Sequence, residues 1–388
     1  MSEQVSEGKA AVKIKEDSCS RCIICISLCP FDALSKDVEN DKTILEIEKC
    51  QVCGLCYSAC PSHVIDTLHY DLNSLTKYLQ KAKKHYASDT LVVMCKGSAP
   101  DLAGIEKLFG VTKFIPLTVP CVGRIPEDVF LKAITMGIKK IYVLACDEDY
   151  CRYDSGSPVE GRRIMALNLM LAQLGYGKEA IVLKHSSLKV KVNQELCIGC
   201  GNCVFYCPWE APSLVTPGAV KVDMDKCHGC GLCVSMCPAF ALDLDNWEKD
   251  RISLLISQLA AEIASPKVLV FCCQWAVFPA LDEKPKNNIR YIYLPCAGRV
   301  DTAHIVEAFG KGVDGVLIAA CSEDDCKLEG AGGKVQRPVA ALQERLKQAG
   351  YGDRLSFCTV SPRYPEVFTR ELAQFSKQIA AIGKEVPA

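Results

Sequence analysis

Residues 197–208 read CIGCGNCVFYCP and residues 227–238 read CHGCGLCVSMCP. Both follow the spacing C-x2-C-x2-C-x3-C-P. Three thiolates two residues apart can wrap one [4Fe–4S] cluster in a tight loop, with backbone N–H groups turned toward the sulfurs. The fourth, just before proline, reaches the neighbouring cluster. On that rule Cys197, Cys200, Cys203 and Cys237 form one ligand set, and Cys227, Cys230, Cys233 and Cys207 form the other. Zinc sites usually take two C-x2-C pairs or mix in histidine, and disulfides inside such short loops would be strained. The spacing therefore favours clusters.

The pattern recurs at residues 19–30 (CSRCIICISLCP) and 50–61 (CQVCGLCYSACP). Crossing the fourth ligands gives Cys19, Cys22, Cys25 and Cys60 for one cluster and Cys50, Cys53, Cys56 and Cys29 for its neighbour. Each pair of runs resembles a bacterial ferredoxin with two cubanes. Three runs carry a glycine ahead of the third cysteine, Gly54, Gly201 and Gly231, where close backbone approach or positive φ is needed. The first run is expected to have Ile24 there, in a slightly different loop.

With 26 cysteines in 388 residues, disulfides and metal ligation compete as explanations. Disulfide scaffolds are usually small and secreted. This chain is large and its first residues (MSEQVSEGKA) are polar, so reduced, metal-bound thiols in the cytoplasm are the expectation. A net charge of −1 points away from nucleic acid as a main partner. The most apolar stretch, residues 268–281, is too short for a transmembrane segment.

The rest of the chain alternates strands and helices. A helix is expected over 71–85, strands over 11–14, 43–47, 90–94, 113–119, 141–145 and 180–183, and helices over 101–109, 126–136 and 161–174. Gly175 is the expected helix stop. This reads as a small α/β module with a largely parallel sheet, whose cysteines fall at the carboxyl ends of strands, where such sheets place ligands. The second half repeats the first. Cys19 and Cys50 are matched by Cys197 and Cys227, and Pro120-Cys121-Val122-Gly123-Arg124 recurs as Pro295-Cys296-Ala297-Gly298-Arg299. The fold class is thus α/β and α+β: a tandem duplication of a two-cluster module followed by an α/β module. The expected domains are residues 1–70, 71–187, 188–247 and 248–388.

Each α/β module carries a second cysteine set. Cys95, Cys121, Cys146 and Cys151 are matched by Cys296, Cys321 and Cys326 together with Cys272 or Cys273, between which the spacing does not choose. Four thiolates converging on one sheet end suit a [2Fe–2S] cluster; a zinc tetrathiolate and buried structural cysteine remain open readings. The ferredoxin-like runs and two such tetrads leave over Cys358 and one of the Cys272–Cys273 pair.

Residues 295–299, the stretch 312–318 (GVDGVLI) and residues 321–326 together resemble the delta-subunit family of methyl-viologen-reducing hydrogenases. The resemblance covers about residues 90–184 and 266–362. It implies a [2Fe–2S] cluster. The implied role is to pass electrons between a hydrogenase, formate dehydrogenase or other oxidoreductase subunit and a flavin-containing heterodisulfide-reductase-like subunit. The family's second cysteine is replaced by Ser98 and Ala276.

Arg124 and Arg299 could hydrogen-bond a cluster sulfur or a carbonyl and raise its potential, or form an ordinary salt bridge. Gly310, Gly312 and Gly315 spell G-x-G-x-x-G but follow a helix and precede a strand, the reverse of a dinucleotide site. The six histidines form no pair at ligand spacing, and His228 sits inside a cluster loop. No catalytic set stands out. The expected function is an iron–sulfur electron-transfer subunit with four [4Fe–4S] and two [2Fe–2S] clusters in an anaerobic redox complex. The alternative is a disulfide reductase acting through Cys272 and Cys273.

Overall fold

The computed structural model describes residues 10–97, 102–215, 218–278 and 286–382. The chain divides into two compact units, one mainly of residues 10–187, the other mainly of 188–277 and 286–382. Both are built alike.

The first unit opens with two antiparallel strand pairs. Val12–Ile14 pairs with Ile65–Thr67, and Leu34–Asp37 pairs with Lys42–Leu45. Two short helices, Ile24–Leu28 and Leu55–Ala59, pack between them. In the second unit the pairs are Val190–Val192 with Leu242–Leu244 and Pro212–Val215 with Ala219–Val222, and the helices are Asn202–Tyr206 and Leu232–Ser235.

A four-stranded, all-parallel sheet follows in each unit. In the first its order is Ile115–Val119, Thr90–Cys95, Lys140–Cys146, Ile181–Ser186. In the second it is Ile289–Leu294, Val268–Cys273, Gly315–Cys321, Leu355–Val360. The inner strands Thr90–Cys95 and Val268–Cys273 are buried at every position, as a parallel sheet covered on both faces requires. Burying one Leu or Val of this kind contributes about 1.5–3 kcal/mol. The chain leaves the first strand to one side and returns to the other, so the strand ends open a crevice there.

The helix Leu72–Tyr86 shows why local sequence holds these elements. Asp71 caps it, accepting from the N–H groups of Asn73 at 2.9 Å and Ser74 at 3.1 Å. Leu75, Leu79 and Ala82 recur along its buried face. Lys83, Lys84 and His85 complement the dipole in its last turn.

Several expected boundaries shift. The helix read as starting at 161 begins at Gly156 and runs to Gln173, because Pro158 falls in its first turn, where a missing N–H costs nothing. The strand read from 113 begins at Ile115. Gly175, at φ +87°, does lie just beyond the helix end. The replaced position Ser98 and the expected helix start at 101 lie outside the described residues. Among the described residues no helix is long and apolar enough to cross a membrane.

Asp71→Ala is expected to lower unfolding stability by about 1 kcal/mol while leaving bound iron unchanged, as read by denaturation of the loaded protein beside an iron assay.

Candidate metal centres

In each ferredoxin-like loop the chain adopts left-handed φ at two positions, which turns backbone N–H groups inward. The pairs are Arg21 and Ile23, Val52 and Gly54, Gly199 and Gly201, and Gly229 and Gly231. The second member follows the second cysteine and caps the short helix. The residue taking the glycine's place in the first run is therefore Ile23 (φ 59°), not Ile24. Ile23 and Val52 are β-branched, and such a backbone costs on the order of 1–3 kcal/mol unless the surroundings over-determine it.

Each helix carries the third cysteine of its run, and the fourth comes just after its end. Cys29, Cys60 and Cys207 are themselves the C-terminal caps. The third and fourth thiols thus diverge. One cavity is lined by Cys19, Cys22, Cys25 and Cys60, another by Cys29, Cys50, Cys53 and Cys56, and a third by Cys197, Cys200, Cys203 and Cys237. Cys207, Cys227 and Cys230 act electrostatically on Cys233, which places the fourth set together as well. Among the described residues no group of three or more such side chains is placed to hold a single metal ion.

The two centres of each module differ in burial. Cys22 and Cys200 are exposed, whereas Cys50, Cys53, Cys227 and Cys230 are buried. Burial pushes the Cys53 thiol up to about 12, so it becomes a thiolate when a metal takes its proton's place. At the outer site the Arg21 backbone N–H holds Cys19 below its usual value, and the Thr43 hydroxyl stands 3.7 Å from its sulfur.

The tetrads sit at the sheet crevice. Cys95 and Cys146 end neighbouring parallel strands, and the Cys146 thiol donates to the Cys95 sulfur at 3.2 Å. Cys95 and Cys151 both act electrostatically on Cys121. The Ser157 N–H approaches Cys151 Sγ at 3.4 Å, and a Cβ on Gly156 would collide with Cys121 Sγ. In the second unit the Gly298 N–H donates to Cys296 Sγ at 3.3 Å. Cys326 is lowered to about 6, first by a hydrogen bond with Cys321 and also by the N–H groups of Leu328, Gly332 and Gly330.

Register gives Cys273 the place in the second unit that Cys95 has in the first. Cys95 stands opposite Val119, and Cys273 stands opposite Leu294; Val119 and Leu294 each immediately precede the repeated Pro-Cys pair. Cys273 also shares the hydrogen bond with Cys321, as Cys95 does with Cys146. Cys272 faces the other side of the strand, as the two-residue period dictates, and so stands apart from the tetrad. Both twin cysteines are buried. None of the cysteines is tied up in a disulfide. Cys358 lies on the edge strand opposite Ala319.

The tetrads touch the inner centres. Ser58 Oγ donates to Gly123 O at 2.8 Å, and Ser235 Oγ to Gly298 O at 2.6 Å, the same bond in both units. Cys230 packs in one apolar cluster with Cys296, Leu328 and Ala331. Arg124 and Arg299 are fully buried there and donate to backbone carbonyls, of His69 and Trp247. No helix carboxylate pairs with either among the described residues. His228 stacks on Trp209, ring centroids 4.4 Å apart. The helix Thr302–Gly310 precedes the strand Gly315–Cys321, so the glycine motif opens no helix.

Cysteine loops of this geometry on a ferredoxin-like scaffold define an iron–sulfur electron-transfer protein. Two 4Fe-4S dicluster domain models match residues 11–61 and 182–244. The model of the methyl-viologen-reducing hydrogenase delta subunit matches residues 91–193 and 268–383, more than half of the chain. The chain belongs to that family. The vhc iron-sulfur subunit of the F420-non-reducing hydrogenase of Methanococcus voltae is 30% identical over 130 residues, covering 32% of this chain and 90% of that one. A subunit of the ferredoxin:CoB-CoM heterodisulfide reductase of Methanosarcina mazei is 31% identical over 315 residues, 76% of this chain and 37% of that one. Its counterpart in the ferredoxin/F420H2-dependent CoB-CoM heterodisulfide reductase of Methanosarcina acetivorans is 29% identical over 327 residues, 79% and 38%. The chain thus spans under two-fifths of these two reductase subunits.

Alanine at the loop glycines separates two costs. Gly201→Ala is expected to lose about 1–2 kcal/mol, since φ is +78° but the nearest atom to the new Cβ is 3.8 Å away. Gly54→Ala is expected to lose more, because its Cβ would lie 2.7 Å from Arg124 Cβ. Chemical denaturation of the two loaded variants checks the order.

Proposed function

We propose that the chain relays electrons through four [4Fe–4S] and two [2Fe–2S] clusters. In each unit an outer cubane, an inner cubane and a tetrad cluster follow in that order. The first unit's sets are Cys19, Cys22, Cys25 and Cys60; then Cys50, Cys53, Cys56 and Cys29; then Cys95, Cys121, Cys146 and Cys151. The second unit's are Cys197, Cys200, Cys203 and Cys237; then Cys227, Cys230, Cys233 and Cys207; then Cys273, Cys296, Cys321 and Cys326.

The observation that carries this reading is the lining of three separate cavities by crossed sets of four cysteines. Such clusters supply one-electron oxidation and reduction without making or breaking covalent bonds. The protein's part is to hold and insulate. Helix caps and left-handed loop residues aim N–H groups at sulfur, apolar side chains such as Leu55 and Leu232 keep water from the inner sites, and the Ser58 and Ser235 bonds hold each inner loop against its tetrad.

The outer site of each unit, with its exposed cysteine, faces an external donor or acceptor. By analogy with the hydrogenase and heterodisulfide reductase relatives, and with the partners that the family resemblance implies, the partners are a hydrogenase, formate dehydrogenase or other oxidoreductase subunit on one side and a flavin-containing heterodisulfide-reductase-like subunit on the other. The setting is an anaerobic, cytoplasmic complex, with two-electron chemistry left to the partners.

Anaerobically purified chain is expected to hold about 20 iron atoms, at four per cubane and two per [2Fe–2S] site. Cys22→Ser is expected to remove about 4 of them and Cys146→Ser about 2. Iron near 16 with zinc in the remainder would overturn the two-iron sites. A chain that reduces disulfides by itself would overturn the carrier-only reading.

A further inference from the structure

Both units bury one arginine between the inner cubane loop and the tetrad, but they balance its charge differently. Arg124 and Arg299 stand three residues after Cys121 and Cys296 and are closed to solvent. Each lies along the inner cluster loop. A Cβ on Gly54 would stand 3.2 Å from Arg124 Nε, and one on Gly231 would stand 2.6 Å from Arg299 Cδ. Those glycines directly follow Cys53 and Cys230, so the same cation is set beside equivalent thiolates twice.

Around Arg124 the partners are neutral. Its Nη2 donates to His69 O at 2.5 Å and Thr67 Oγ1 at 3.2 Å, and the guanidinium lies 5.1 Å from the Tyr70 ring centroid. Among the described residues its Nε and Nη1 have no hydrogen-bond partner, and no carboxylate comes within ion-pair distance. Arg299 donates Nε and Nη2 to Trp247 O at 3.2 and 2.9 Å, and its Nη2 stands 3.8 Å from Asp243 Oδ1. Asp301, itself buried, acts on it too. The first unit has an aspartate on the matching strand, Asp66, but it is exposed and paired with Lys15 at 2.8 Å. Pro126 stands where Asp301 would be.

We propose that these two arginines set unequal reduction potentials in the two repeats, with the inner centre of residues 10–187 the higher. Reduction adds negative charge, so a nearby cation favours the reduced state, and more strongly where little water screens it. A carboxylate beside the cation offsets that effect. Asp243 does so for Arg299, and nothing comparable does so for Arg124 among the described residues. At equilibrium an electron on this chain therefore rests on the inner centre of the first repeat in preference to its counterpart. This rests on the cluster assignment above.

The test is a redox titration of the full chain, purified anaerobically and followed by electron paramagnetic resonance, with iron measured on every sample. Arg124→Gln is expected to shift one centre's electron equilibrium about tenfold toward oxidised, about 59 mV downward for a one-electron couple. Arg299→Gln is expected to shift a different centre by less, and Arg124→Lys to restore most of the loss. Asp243→Asn is expected to raise the centre that Arg299→Gln lowers and to leave the other in place. It also decides the matter if Arg124→Gln does not fold. Equal shifts from the two glutamine variants, or no shift from Asp243→Asn, at full iron content would overturn the inference. Wild-type iron too low for four cubanes would strike the cluster assignment instead.

Discussion

The constraint on which each ferredoxin-like module depends is that one short helix serves two sites. Ile24–Leu28 carries Cys25 toward its own loop and ends on Cys29, which lines the cavity of the next; Leu55–Ala59 does the reverse with Cys56 and Cys60. Neither cavity is complete without the other run, so displacing one helix disturbs both ligand sets. The antiparallel strand pairs follow from this. They bring two runs that are well separated along the chain into the same small volume, at the spacing the shared helices require.

The second level of organisation joins that module to its sheet. The crevice at the strand ends lies against the inner loop, with Ser58 bonded to Gly123 in one unit and Ser235 to Gly298 in the other. A buried arginine fills the remaining space in both. Burying a guanidinium is costly unless its donors are met. Among the described residues it recurs with donors unmet in each copy, Nε and Nη1 of Arg124 and Nη1 of Arg299, which packing alone does not explain.

Much of this was legible in the sequence because cysteine spacing and a long internal repeat are strong signals. The strands ending on Cys95 and Cys146 showed in their apolar runs. What stayed hidden was non-local. Cys272 and Cys273 differ by one position, and only pairing with Tyr293 and Leu294 tells which side of the strand each takes. Aligned on its cysteines the first run already puts Ile23, not Ile24, in the glycine's place, since Ile23 directly follows Cys22 as Gly54 follows Cys53; what isoleucine does not reveal is that the loop takes a positive φ there. The helix at Gly156 was masked by a Gly-Ser-Pro start that reads as a turn. The contrast between Asp66 and Asp243 could not be seen at all, since it turns on which cation each aspartate reaches.

The four-cysteine cavities have a further consequence. They stand where a module of this size would otherwise keep its leucines, and Val12, Leu34, Val52 and Leu55 line the inner one of the first unit. Domains this small are marginal without covalent or metal staples. A cubane that fills such a cavity is core as well as working part, so a module that loses its iron is expected to lose stability with it.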